Sequence, residues 1–352
     1  MAGAYLRRIG TAVPAHDIHE KFVAFAGNML IDPRARSIFL RLAAKSGIQH
    51  RYSCLREEPP GQKAGSDAFS FYGSGRFPST AQRMKVFEQS APELLRTALD
   101  QLALSAEERG KIRHVLVTCC TGFYAPGLDF DIIDYLGLSG ATERTMVGFM
   151  GCYAAINALR LARHIVRSEP GAGVLVVSLE LCSLHFQETQ KLNEVISFTL
   201  FGDGCSAALV TGEPGGLALD SFQAVRIADA CDQITWSIGD LGFDMYLSTH
   251  VPGTIARAMR EHAASFPREE IDLWAVHPGG RAILDAVEDG LALDTDALQA
   301  SRAVLASFGN MSSCTVMFVL QRLMQQASAG QRGCAMSFGP GLTAETMRFH
   351  AV

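Results

Sequence analysis

Short apolar runs alternate with longer segments of helical periodicity along most of the chain. His114–Thr118 (HVLVT), Met146–Phe149, Val174–Leu179 (VLVVSL), Leu273–Val276 (LWAV) and Gly333–Phe338 (GCAMSF) read as buried strands, being largely apolar and bounded by turn residues. Cys152–Arg167 carries Ala, Ile, Leu and Val almost all round, the pattern of a helix buried on most sides. Arg281–Leu291 and Ser313–Gln326 predict further helices. Strands alternating with helices imply an α/β fold with mostly parallel sheets covered on both faces. Thr211–Leu217 (TGEPGGL) reads as a linker, and Glu57–Pro78, rich in Pro, Gly and Ser, as a loop.

The pattern also repeats. A strand ending at Val117 is followed by the loop Thr121–Gly127, then by Gly151-Cys152 opening a helix, then by the strand VLVVSL. A strand ending at Val276 is followed by His277-Pro278-Gly279-Gly280, then by Gly309-Asn310 before a helix, then by the strand CAMSF. Cys152 lies 35 residues beyond Val117, and Asn310 lies 34 beyond Val276. Two similar halves, 1–212 and 213–352, would bring Cys152 and Asn310 to equivalent helix starts facing each other near a pseudo-twofold axis.

Composition narrows the function classes. The chain has 352 residues, 48% hydrophobic and 19% charged, which supports a sizeable core and excludes a disordered or collagen-like chain. With 31 basic against 36 acidic residues there is no overall positive field for a nucleic acid, although a local basic patch for a small anion fits. The nine cysteines form no C-x-x-C pair, so zinc-ribbon and thioredoxin readings fail and a reducing compartment is expected. Asp131, Asp134, Asp203 and Asp220 have no spacing that demands a metal. No segment approaches the roughly 18–20 apolar residues needed to span a bilayer. Gly10, Thr11 and Pro14 interrupt any signal-peptide core after Arg7 and Arg8, so a cytoplasmic location is expected.

Three residues stand out chemically. Cys152 is placed at a predicted helix start after a glycine, where backbone N–H groups and the helix dipole would stabilise a thiolate and a developing oxyanion. His277 ends a strand and is followed by Pro-Gly-Gly, a position at the C-terminal edge where α/β ligand sites gather. Asn310 is by itself equally a helix N-cap. Together, a Cys nucleophile with His and Asn supports acyl transfer. Gly171-Ala172-Gly173 lacks the later glycine of a dinucleotide fingerprint, and there is no Gly-Lys-Ser/Thr phosphate loop. Phe338-Gly339-Pro340-Gly341 reads as a tight turn after a strand.

The segments Gly-Phe-Met-Gly-Cys152-Tyr-Ala-Ala, Ala-Val-His277-Pro-Gly-Gly, Gly-Asn310-Met-Ser-Ser and Ser-Phe338-Gly-Pro-Gly-Leu resemble the type III polyketide synthases, the chalcone-synthase-like branch of the thiolase superfamily, in its bacterial alkylpyrone- and alkylresorcinol-forming form. Ile9-Gly-Thr-Ala-Val-Pro14, Leu200-Phe201-Gly-Asp-Gly204 and Ala282-Ile-Leu-Asp285 add to the resemblance, which runs from about residue 5 to 350. The β-ketoacyl synthase III branch typically has Gln-Ala-Asn after the histidine and Gly in place of Pro340, so it is the alternative. A non-catalytic thiolase-fold partner subunit is another, and retention of Cys152, His277 and Asn310 counts against it.

The resemblance implies a thiolase-like, five-layered αβαβα fold of two duplicated halves and a homodimer. It implies acyl-CoA and malonyl-CoA substrates and no metal or nucleotide cofactor. Cys152 would take the starter acyl group and its thiolate would pair with His277. His277 and Asn310 would hold the malonyl thioester carbonyl during decarboxylation, and Phe201 would stand as gatekeeper between the CoA tunnel and the cavity. Cys120, Thr121, Ala125, Cys182, His185, Ser197, Trp236, Met245, Ser312 and Phe338 would line that cavity, and Arg41, Lys45 and Arg51 would meet CoA phosphates. Trp236 stands where plant chalcone synthases keep glycine, His185 where they keep threonine, and Ala125 replaces a methionine that crosses to the partner subunit. A tryptophan wall should block a bulky phenylpropanoid starter. An aliphatic starter extended two or three times, giving a pyrone or resorcinol, is expected, with a small phenolic from malonyl or acetyl units as the alternative.

Overall fold

The computed structural model describes residues 3–55, 71–72, 77–266 and 268–352. Its strands are β1 (Tyr5–Ala12), β2 (Ile112–Cys119), β3 (Glu143–Gly148), β4 (Gly173–Leu181), β5 (Asp203–Thr211), β6 (Leu217–Arg226), a hairpin of β7 (Ile234–Gly239) and β8 (Gly242–Leu247), then β9 (Leu273–Val276), β10 (Arg332–Gly339) and β11 (Thr343–Ala351). The helices are α1 (His19–Met29), α2 (Pro33–Ala44), α3 (Thr80–Leu102), α4 (Ala106–Lys111), α5 (Leu128–Leu136), α6 (Ala154–Ser168), α7 (Leu192–Phe198), α8 (Val251–Glu261), α9 (Arg281–Leu291), α10 (Gln299–Phe308) and α11 (Thr315–Met324). Of the expected loop Glu57–Pro78, residues 57–70 and 73–76 lie outside the described set, and Phe71 and Tyr72 are helical.

Nine strands hydrogen-bond in the order β9-β10-β11-β6-β1-β5-β4-β2-β3. The duplication is explicit in that order. Strands β2, β4, β5 and β1 run parallel, antiparallel, antiparallel, and β9, β10, β11 and β6 repeat the same sequence of directions. The two sets join where Tyr5 and Leu6 pair with Ala218 and Leu217 and the Leu219 N–H donates to the Ala4 carbonyl (2.8 Å). The sheet is therefore mixed rather than mostly parallel as the element order implied. In each half the later strands pair antiparallel, which needs no crossover helix: β10 returns to β11 through a short turn, and β4 to β5 through a segment that carries α7.

Three hydrophobic clusters fill the spaces between five layers. One packs α1, α3 and α5 against Val115, Val117, Leu175 and Val177 on the outer face of the first sheet. The central one packs α6 and α11 between Leu116, Val174 and Val176 on one side and Ala335, Met347 and Phe349 on the other. The third packs α8 and α9 against Trp274, Val276, Cys334 and Met336. Helix α6 lies in the middle layer, and its first turns, Ala154–Leu159, are buried all round; beyond them Arg160, Arg163, His164 and Arg167 form a polar face, so the all-round apolar reading holds only for the first half. Strand β3 departs from its buried reading: Glu143–Met146 are exposed, because β3 is the edge strand and pairs only with β2.

Candidate active site

The strand ends that the duplication relates meet over one cavity lined largely by apolar and aromatic side chains. Its wall includes Cys152, His277 and Asn310, together with Cys120, Thr121, Cys182, His185, Phe201, Trp236, Met245, Ser312 and Phe338. Cys152 precedes α6 by a turn rather than opening it. Gly151 has φ +79°, and a Cβ there would meet Pro340 Cδ at 2.2 Å, so glycine alone lets the Phe338–Gly341 turn close over the cysteine.

The sulfur of Cys152 has its hydrogen-bond contact with Ser312 Oγ, at 3.8 Å. Burial pushes the thiol up to about 12, although contacts to Ser312 and Asn310 pull the other way. His277 follows β9, and its backbone N–H donates to the Met336 carbonyl (2.8 Å). Neither ring nitrogen has a partner, and burial pushes the imidazole down to about 3. The expected thiolate pairing with His277, and the expected lowering of the thiol by the helix start, are therefore absent in this state. A largely apolar wall disfavours both charges, which favours the thiol over the thiolate and the neutral imidazole over its cation.

Asn310 is held on all sides. Its Oδ1 accepts from Ser312 N–H (2.8 Å) and Thr315 Oγ (3.4 Å), which fixes the amide orientation. Its Nδ2 donates one proton to the Gly279 carbonyl (3.3 Å) and turns its other side toward the Cys152 sulfur. The Asn310 backbone exchanges hydrogen bonds with Leu200 (2.8 Å) and Gly202 (2.9 Å), which ties the Phe201 segment to it. Ser312 adopts φ +51°, an uncommon value for a residue with a Cβ, and the Asn310 bond to its N–H holds it there.

The far wall is aromatic. Trp236 and Met245 face each other across the β7–β8 hairpin, and the indole N–H donates to the Cys120 carbonyl (2.9 Å). His185 stacks on Phe243 at 4.3 Å and meets Trp236 edge-on. Its Nε2 pairs with the Thr121 carbonyl (2.6 Å) and its Nδ1 accepts from Phe243 N–H (3.1 Å). Behind the wall, Glu180 accepts from Thr121 Oγ (2.8 Å), Cys120 N–H (3.0 Å) and Ser313 Oγ (2.5 Å), and burial raises it to about 7. Gly151 was singled out by the sequence, as the glycine before Cys152, but Glu180 and Phe243 were not, because they act through strands that pair far along the chain.

An open outer groove shares Leu247, Val251, Gly279 and Ile283 with the cavity and runs to Lys45 and Arg281 at its rim. Three expectations are corrected by these positions. Ser197 lines this groove, not the cavity, and its Oγ donates to the Asn193 carbonyl. Ala125 is exposed on the protomer surface, as a position that faces a partner subunit would be. Arg51 is wholly buried: its guanidinium donates to the Phe201 carbonyl (2.5 Å) and to His19 Nδ1 (3.0 Å), so it braces the gatekeeper segment and does not face a ligand. Arg41 is exposed on α2 but outside the groove lining, whereas Arg281, not anticipated from the sequence, is in it.

Residues 2–214 match the N-terminal domain of chalcone and stilbene synthases, and residues 221–352 match their C-terminal domain. The chain is 34% identical over 372 aligned positions to "Alpha-pyrone synthesis polyketide synthase-like Pks18" of Mycobacterium tuberculosis, covering 99% of this chain and 91% of that protein. Among solved structures, PKS-I from the brown alga Ectocarpus siliculosus superposes with a TM-score of 0.87 at 30% identity, over 100% of this chain and 99% of that one. The C-terminal type III polyketide synthase domain of Steely1 from Dictyostelium shares the fold, with a TM-score of 0.86 at 23% identity over 99% of each chain.

Proposed function

Because the chain belongs to the chalcone and stilbene synthase family and is a type III polyketide synthase, we propose that it loads an aliphatic acyl group from CoA onto Cys152 and extends it with malonyl-CoA to a pyrone or resorcinol. One observation carries the assignment of roles: Cys152, a partnerless His277 and the Asn310 amide line a single cavity, with Asn310 in contact with the Cys152 sulfur.

In loading, the neutral His277 accepts the Cys152 proton as sulfur attacks the thioester, and CoA leaves as its thiol. In extension, one His277 N–H and the Asn310 Nδ2–H donate to the malonyl thioester carbonyl. The electrons of the breaking C–C bond then pass into an enolate as CO₂ departs. A dry cavity with fixed donors stabilises that enolate better than reorganising water would. The enolate carbon attacks the acyl-Cys152 thioester and Cys152 leaves as the thiolate, free to be reloaded. No metal or nucleotide cofactor enters this scheme.

Lys45 and Arg281 at the groove rim supply the cations for CoA phosphates, and Phe201, braced by Arg51, separates groove from cavity. Trp236, His185 and Phe243 close the cavity against a bulky aromatic starter. The chain acts as a homodimer in a cytoplasmic setting, its thiolase-like halves dividing near residues 212 and 213. No helix among the described residues is long and apolar enough to cross a membrane.

Malonyl-CoA with a panel of acyl-CoA starters, read by mass spectrometry of the products and of the protein, tests this. Cys152→Ala should abolish acylation. Asn310→Ala should leave acylation intact and slow CO₂ release by about 100-fold or more. Normal decarboxylation by the Asn310 variant would sink the role given to it.

A further inference from the structure

Helix α2 buries only Phe39 and Ala43. No acidic residue occurs between Pro33 and Arg51, in a chain whose net charge is −5. Arg34, Arg41 and Lys45 are exposed and make no ion pair among the described residues. The same stretch exposes Ile38 (37%), Leu40 (41%) and Leu42 (42%). Just before it stand Ile31 (82%) and the N-cap Asp32, whose carboxylate accepts from the Arg34 N–H (3.0 Å). Beyond that first turn the face is cationic and aliphatic, and it adjoins the site directly. Leu42, Ala43, Lys45 and Ser46 form one wall of the groove that continues to Cys152, and Arg281 Nη1 donates to the Lys45 carbonyl (3.4 Å).

Building on the synthase reading above, we infer that α2 is a docking surface for an acidic acyl carrier protein, whose phosphopantetheine arm enters the groove and hands its acyl group to Cys152. The arm of such a carrier and the inner part of CoA are chemically the same, so one groove serves both. A nucleotide would occupy the rim and leave the aliphatic residues of α2 bare, whereas a protein helix of opposite charge covers cations and aliphatics together.

The arrangement on the helix favours a protein over a lipid surface. At about 100° per residue, Arg34, Arg41 and Lys45 fall in one row facing away from Phe39 and Ala43. Ile38 and Leu42 lie on one side of that row and Leu40 on the other. A bilayer-bound helix has the reverse order, an apolar stripe at the centre with cations at its edges. A row of cations flanked by aliphatics fits an acidic ridge with apolar neighbours. The transfer balances without a further reagent: the carrier thioester breaks, the Cys152 thioester forms, and the pantetheine sulfur leaves with the proton that Cys152 gave up.

The test measures loading of Cys152 by intact-protein mass spectrometry under single-turnover conditions. An octanoyl group is presented either on CoA or on a purified holo acyl carrier protein from a bacterial fatty-acid synthase. Loading from both donors is expected. Arg34→Glu combined with Leu40→Ser should slow carrier-dependent loading about tenfold or more, with CoA-dependent loading changed less than about twofold. Added salt should weaken the carrier reaction selectively. Loading from CoA alone, or equal slowing with both donors, overturns the docking surface. Binding to phosphatidylglycerol vesicles that the double variant abolishes, without carrier loading, would replace the protein partner with a lipid one. Loading from neither donor overturns the synthase reading itself.

Discussion

His185 and His277 share the cavity wall, and burial lowers both to about 3, yet they are neutral for different uses. His277 keeps both ring nitrogens free, as a group that must take and return a proton requires. His185 spends both, on the Thr121 carbonyl and the Phe243 N–H, so protonating it would break the second bond. A depressed folded pKa means the unfolded chain binds the proton first as pH falls below about 6.5. Stability contributed by neutral His185 is thus complete above that pH and is lost as acid is added. Urea midpoints should show wild type losing about 2 kcal/mol more than His185→Gln between pH 7 and pH 5. Identical pH slopes for the two proteins would refute this. The motifs around Cys152, His277 and Asn310 were legible as chemistry, but their resting protonation was not. It depends on a cavity that brings together residues far apart in the chain, such as Cys152 and Ser312, 160 positions apart.

The β7–β8 hairpin decides the shape of the cavity. It reaches the site as one wall because Trp236 anchors it to Cys120 and because Gly242, at φ +121°, turns beside Arg83, leaving no room for a side chain. Trp236→Gly should therefore enlarge the cavity and shift products toward bulkier starters, at a cost of about 2 kcal/mol in stability. An unchanged starter profile would remove the hairpin from substrate choice. Helices were read closely from periodicity: Arg281–Leu291 was predicted and observed with the same bounds. Strand β3 misled because four apolar residues look alike at an edge and in a core. The distinction is made by a neighbouring strand, which periodicity does not encode.

For the molecule as a whole, β3 leaves one long sheet edge unpaired beside Met146, Phe130, Phe123 and Met150, all exposed. An edge strand with an apolar border is a template for a second copy. Light scattering should give a dimer, and Met146→Glu should shift it toward monomer; a monomeric wild type would contradict the proposed assembly. The duplication was visible in the spacings of 35 and 34 residues and reappears as the same strand directions in each half. The sequence by itself determined which residues could do chemistry, the α/β class and the repeat, because residue type and hydrophobic period are local properties. Tertiary structure alone decided the mixed sheet, the burial of Arg51 and the partnerless setting of the His277 ring. Those follow from which surfaces exclude water, and long-range packing sets that.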